Sequence, residues 1–126
     1  MDGLKFERYI ADILKAKGYT NIEFTEKYDY GVDIIAVKNG IRWGIQVKRY
    51  SGLVKADAVR QVVTGLRIYD CHCAMMITNS VFSRLAISLA NSNGCVLIDR
   101  GKLARIGINL ITLTLVLVYR NVFALH

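Results

Sequence analysis

Proline is absent from all 126 residues, while hydrophobic residues make up 53% of them. That combination excludes a disordered chain. It leaves one domain, large enough to bury a real core. Cysteine occurs only three times, and an odd count argues against a disulfide framework. Cys71-His72-Cys73 lacks the two-residue spacing and the second ligand pair of zinc sites. Strand alternation would also send His72 to the face opposite Cys71 and Cys73. The three are therefore expected to pack in a reduced, cytoplasmic protein. No apolar signal stretch opens the chain, because Asp2, Lys5, Glu7 and Arg8 arrive too early. Repeats and linkers are also missing. Acidic residues are scarce: 10 Asp and Glu stand against 17 Lys and Arg, for a net charge of +7 and a pI near 9.5. Such a balance favours a polyanionic partner, nucleic acid above all.

The most informative segment runs from Asp33 to Lys48. Asn39-Gly40 sits between two β-rich runs, and a two-residue type I′ turn needs φ > 0 at both of its central residues. That turn fixes the register: Lys38 faces Ile41, and counting outward Asp33 faces Gln46. Facing residues share a sheet face with Cβ atoms roughly 4.5–5.5 Å apart, and Lys48 lies one diagonal step away on the same face. A carboxylate, an amide and an ammonium are thus expected at one strand end. Carboxylate and amide oxygens suit a hard cation such as Mg²⁺, and the lysine can stabilise an adjacent anion. An edge hairpin carrying an ordinary Asp/Lys pair is the plainer alternative. On the other face, Ile34, Ala36, Ile41, Trp43, Ile45 and Val47 form an apolar stripe expected to pack on a helix. A one-residue slip would expose it, so the register is strongly specified.

Helical periodicity predicts helices over 4–17, 54–68 and 82–92. The first presents Phe6, Ile10, Ile13 and Leu14 and stops at Gly18. Glu7 borders that apolar face and can point toward the sheet. The second turns Val59, Val62, Val63 and Leu66 inward. The third does so with Leu85, Ala86, Leu89 and Ala90, and ends at Gly94. Short strands are expected at 22–24, 32–38, 41–49, 74–78 and 95–98, the last two buried. A polar loop covers 25–31, and a turn or short helix covers 99–103. This order, a hairpin followed by crossover units, predicts an α/β fold with a mixed sheet and helices on both faces.

From Ile106 to Tyr119 there is no charge. As an α-helix those residues would span only about 21 Å, short of the roughly 30 Å membrane core. Their alternation of Leu with Thr and Val predicts a strand. Unpaired, it would be an aggregation hazard, which makes it a candidate dimer seam. A membrane-associated helix is the competing reading of this tail.

Several segments stand in a telling order: Phe6-Glu7, Lys17-Gly18-Tyr19, Tyr30-Gly31-Val32-Asp33-Ile34-Ile35-Ala36, Gln46-Val47-Lys48-Arg49-Tyr50, Ile77 to Ser83, and Leu97-Ile98-Asp99. Together they resemble the catalytic domain of Mrr-type restriction endonucleases, within the PD-(D/E)xK nuclease superfamily. The resemblance covers about residues 2–104. It divides the chain into a nuclease domain at 1–105 and an apolar extension at 106–126. It implies the restriction-endonuclease-like fold and cytoplasmic, Mg²⁺-dependent DNA endonuclease activity, with Mn²⁺ able to substitute. By matching position, Asp33 resembles the metal-binding aspartate, and Gln46 stands where most of the superfamily has a second acid. Lys48 resembles the lysine that orients the attacking water and stabilises the phosphorane. Glu7 matches the first-helix glutamate that supports the metal or its water. Asp33, Gln46 and Val47 form the implied metal set. Gly31-Val32 stands before the aspartate where the wider superfamily has a proline. Set against fuller Mrr enzymes, these 126 residues are expected to hold the catalytic segments without a separate DNA-recognition domain among them.

Arg42, Arg49, Lys55 and Arg60 are candidates for phosphate contacts, which position a backbone without reading sequence. DNA is the expected partner. A homodimer is expected too, because one active site cuts one strand. Two other readings use the same residues: a structure-selective nuclease of the Holliday-junction-resolvase type, and a non-catalytic DNA-binding module.

Overall fold

The computed structural model describes residues 2–26 and 31–107. The chain opens with α1 (Gly3–Ala16), whose N-terminus is capped by Asp2 accepting from the Lys5 N–H at 2.8 Å. Strands β1 (Thr20–Phe24), β2 (Ile34–Lys38) and β3 (Ile41–Lys48) follow. Next come β4 (Leu53–Val54), α2 (Ala56–Ile68), β5 (Cys73–Thr78), β6 (Val81–Phe82), α3 (Arg84–Ser92) and β7 (Val96–Ile98). Residues 100–107 are helical. Five strands form one sheet in the order β1-β2-β3-β5-β7. The pairs β1–β2 and β2–β3 are antiparallel, and β3–β5 and β5–β7 are parallel. The sheet is mixed, as expected.

The hairpin register follows from its turn. Asn39 and Gly40 both have positive φ, at 53° and 75°, and Lys38 pairs with Ile41 in a ladder that runs out to Ile34 and Ile45. The apolar stripe of Ile34, Ala36 and Ile45 is fully buried, with Trp43 and Val47 packed at its margin, against Phe6, Ile10, Ala11, Ile13 and Leu14 of α1. The opposite face, through Val32, Ile35, Ala74 and Met76, packs on Val59 and Val62 of α2 and Ala86 and Ala90 of α3. Helices therefore cover both faces.

Four expectations need correction. Leu53–Val54 and Val81–Phe82 pair in parallel as a separate two-stranded sheet, so α2 begins at Ala56 and α3 at Arg84. Leu85 is 63% exposed. Ala86 and Ala90 make the close approach to α2 instead, and small residues there let the helix backbones draw near. Among the described residues β7 is an edge strand, with Val96 exposed and Leu97 and Ile98 half-buried. Ile106 and Gly107 belong to the helical segment, so the expected C-terminal strand cannot begin at Ile106. The rest of that expected strand, and its membrane-helix alternative, fall on 108–126, outside the described residues. Among the described residues, no helix is long and apolar enough to cross a membrane.

Candidate active site

Asp33 stands one residue outside the β2–β3 ladder, whose Cα pairing ends at Ile34 and Ile45. Its backbone N–H still donates to the Ile45 carbonyl at 2.8 Å. The N–H of Val47, however, donates to the Asp33 side chain, reaching Oδ2 at 2.8 Å. The carboxylate replaces the backbone acceptor that the next ladder step would have supplied. The neighbouring backbone is engaged elsewhere: the Thr25 hydroxyl donates to the Val32 carbonyl, and the Thr25 N–H donates to the Asp33 carbonyl at 2.9 Å. Gly31 makes the approach to this point. Its φ is +77°, and a Cβ there would stand 2.5 Å from the Gln61 carbonyl carbon and oxygen of α2. Only glycine satisfies both conditions.

Leaving the ladder frees Asp33 from strand alternation. It lines a cavity of about 580 Å³ together with Gly3, Leu4, Glu7 and Arg8 of α1 and Phe24, Thr25 and Glu26. Glu7 and Asp33 are thus brought to one space, as the border position of Glu7 on α1 suggests. Gln46 and Lys48 are not among the lining residues of that cavity. They flank Val47 at the end of β3, and it is the Val47 N–H that bonds the Asp33 carboxylate. Burial raises the Asp33 carboxyl above its usual value, and the Val47 N–H offsets part of that rise.

The Gln46 Oε1 atom is buried and accepts no hydrogen bond among the described residues. A buried polar atom left in this way costs on the order of 1–3 kcal/mol. With the Asp33 carboxylate it offers the oxygen donors that a hard cation takes. Val47 can add only its backbone. Among the described residues, no group of three or more His, Cys, Asp or Glu could hold a metal ion. A cation here would therefore rest on Asp33 with neutral oxygens and water.

The end of β3 and the segment after it are held by three consecutive residues, the last of β5 and the two that follow it. The hydroxyl of Thr78, fully buried, donates to the Lys48 carbonyl at 2.7 Å. Asn79 Oδ1 accepts from the Tyr50 N–H at 2.7 Å, and the Ser80 hydroxyl donates to the Gly52 carbonyl. Residues 78, 79 and 80 thus grip residues 48, 50 and 52 in turn. Parallel pairing of Lys48 with Thr78 sets this alignment. Sequence reasoning missed the grip, although polar Thr78-Asn79-Ser80 at the end of an apolar run was its visible signal. It also missed Arg8 and Glu26, which look like ordinary solvated charges.

The basic candidates divide by position. Arg49, Lys55 and Arg60 are exposed. Arg49 directly follows β3, Lys55 occupies the N-cap position of α2 without a side-chain cap bond, and Arg60 precedes the Gln61 backbone on which Gly31 packs. Arg42 lies at the turn end of β3, about 20 Å along the strand from Lys48. Its Nε donates to the Tyr69 carbonyl at 3.1 Å, and its N–H donates to His72 Nδ1 at 2.9 Å. The structure does not bring Arg42 to the site. The three cysteines are free thiols. Burial pushes the Cys95 thiol up to about 11, which leaves it no nucleophilic role at neutral pH.

A family model described as Restriction endonuclease, the Mrr catalytic domain, matches residues 1–106. Among solved structures, a protein of unknown function, AF1548, has a TM-score of 0.66 at 18% identity, over 77% of this chain and 58% of that one. The DNA modification-dependent restriction endonuclease AspBHI has a TM-score of 0.69 at 12% identity, over 88% of this chain and 32% of that one. The MspJI restriction endonuclease, solved in complex with a 27-mer oligonucleotide, has a TM-score of 0.58 at 23% identity, over 79% of this chain and 25% of that one. At such identities the likeness is one of fold, and this chain spans less than two thirds of each of those proteins. No curated protein matches the chain.

Proposed function

The chain belongs to the restriction-endonuclease family of the Mrr catalytic type, and from that premise we propose that it is a Mg²⁺-dependent DNA endonuclease hydrolysing phosphodiester bonds. One observation carries the metal part of this reading. The Asp33 carboxylate is fixed through Oδ2 by the Val47 N–H, next in the chain to Gln46, whose buried Oε1 has no hydrogen-bond partner among the described residues. Asp33 and Gln46, with the backbone of Val47, would hold the ion. Mn²⁺ would serve as well, since it takes the same hard oxygen donors. Bound there, the ion supplies charge neutralisation on the scissile phosphate and a more acidic water.

The remaining roles fall to side chains. Lys48 places an ammonium at the end of β3, where it stabilises negative charge on the phosphate oxygens as the water attacks. Glu7, facing the same cavity as Asp33, accepts a hydrogen bond from the attacking water and orients it. Arg49, Lys55 and Arg60 contact backbone phosphates, which favours weak sequence preference. We also assign dimer formation to the apolar segment 108–126. Light scattering on the whole chain and on a chain ending at Gly107 tests that assignment: loss of the dimer on truncation supports it, and an intact monomer contradicts it.

The substrate is tested by incubating the protein with linear, methylated and four-way-junction DNA in Mg²⁺ or EDTA. Cleavage of linear duplex, absent in EDTA, is the expected result. Cleavage of junctions alone would move the assignment to a structure-selective nuclease. Binding without cleavage of any of the three would make the chain a DNA-binding module.

A further inference from the structure

We propose that Tyr50 is a positioning residue that holds the Lys48 ammonium in place. The Lys48 Nζ atom lies 5.4 Å from the centre of the Tyr50 ring, within the range over which the ring face attracts a cation. Tyr50 is itself held at its backbone and met at its ring. Its backbone N–H is bound by Asn79 Oδ1 at 2.7 Å. Its edge lies over Gly52, where an added Cβ would stand 3.1 Å from the ring Cε2. Asn79 and Ser80 thus shape the segment 50–52 so that the aromatic ring comes back onto the lysine two residues earlier.

This arrangement answers a specific difficulty. Lysine carries a point charge on a flexible four-carbon stem, and a group that stabilises a transition state must be held close to its working geometry. A carboxylate partner would restrain the ammonium but would also compete with the phosphate for its charge. A ring face restrains it more weakly and leaves the charge intact. Packing of the core does not account for the ring, because Tyr50 is 47% exposed. The proposal rests on the assignment of Lys48 as a residue that acts on the phosphate.

The test compares Tyr50→Phe, which keeps the ring, with Tyr50→Leu, which removes it, and uses Lys48→Ala as the reference. Two readouts are taken on the whole chain. The first is the NMR shift of the Lys48 ε-methylene, which a ring face moves upfield. The wild type and Tyr50→Phe should show that shift and Tyr50→Leu should lose it. The second is the rate of supercoiled-plasmid cleavage in Mg²⁺. Tyr50→Leu should lower kcat by about 2- to 5-fold, the range an exposed cation–ring contact supports, with KM unchanged and Tyr50→Phe near wild type. A missing upfield shift in the wild type overturns the proposal. So does a Tyr50→Leu variant that cuts normally, or one that raises only KM, which would make Tyr50 a DNA contact. If the wild type cuts and Lys48→Ala cuts equally well, the assignment of Lys48 fails, and the role of Tyr50 in positioning it fails with it. If no form cuts, the nuclease assignment fails separately and the NMR shift decides whether the ring holds the lysine.

Discussion

Replacing Thr78 by valine removes one oxygen from the join between β3 and β5 and keeps the side-chain shape. That oxygen makes two hydrogen bonds in a fully buried position: it donates to the Lys48 carbonyl at 2.7 Å and accepts from the Ser80 N–H at 3.1 Å. Valine leaves a part-buried acceptor and a buried donor without their partner. Each such loss costs about 1–3 kcal/mol. Water can reach the Lys48 side more easily, so a total of about 2–4 kcal/mol is expected. For a domain of this size that corresponds to a fall in Tm of roughly 8–16 °C. Thermal and urea unfolding of Thr78→Val against wild type measure it directly. The same variant should lower the plasmid cleavage rate below its unfolding temperature, because the carbonyl it releases belongs to Lys48. A Tm within about 2 °C of wild type would refute the assignment of Thr78 as a buried anchor, given the minimum of about 1 kcal/mol expected for one lost partner.

Three further outcomes are expected. Asp33 is a half-buried carboxyl whose folded pKa lies above the usual 3.8, raised by desolvation and partly offset by the Val47 N–H. Between those two values the folded protein keeps a proton that the unfolded chain has lost, so stability falls as pH rises through that window and stays lower above it. Asp33→Asn, which can still accept from Val47, should therefore raise the metal-free Tm at pH 7 and change it little below pH 3.8; Mg²⁺ should stabilise the wild type and not this variant, and a lower Tm at pH 7 would contradict the account. Gly31→Ala forces a Cβ against the Gln61 backbone at positive φ and should cost on the order of 1–3 kcal/mol in urea unfolding; an unchanged midpoint would show that the loop repacks freely. DNA affinity should fall steeply with salt, with a log–log slope near −4 to −5 for about five phosphate contacts; a flat response would remove the phosphate role of Arg49, Lys55 and Arg60.

The hairpin was legible because its information is local. Asn39-Gly40 sets the turn, and the alternation of Ile41, Trp43 and Ile45 sets which face is buried. The helix over Gly3–Ala16 was legible for the same reason, since one apolar face and a terminal glycine define it. The exit of Asp33 from the ladder was not. It depends on Thr25 and Gly31 engaging distant partners, and alternation carries no sign of a side chain taking the place of a backbone acceptor. Strands β4 and β6 have two residues each, too few for any period to register. Leu85 misled because α3 packs through its alanines, so apolar size was a poor guide to burial there. The bond from Arg42 to the Tyr69 carbonyl was not legible, because a charge on a strand looks the same whether it meets solvent or a carbonyl.

We have proposed that Asp33, with Gln46 and Lys48, serves metal-dependent cutting of DNA by this chain. The most direct measurement is cleavage of supercoiled plasmid by wild type and by Asp33→Ala across a Mg²⁺ titration, with EDTA as the zero. Cutting by the wild type should rise with Mg²⁺ and vanish in EDTA, and a folded Asp33→Ala variant should not cut at any Mg²⁺ concentration. Equal cutting by the two proteins, or wild-type cutting undiminished by EDTA, would contradict it.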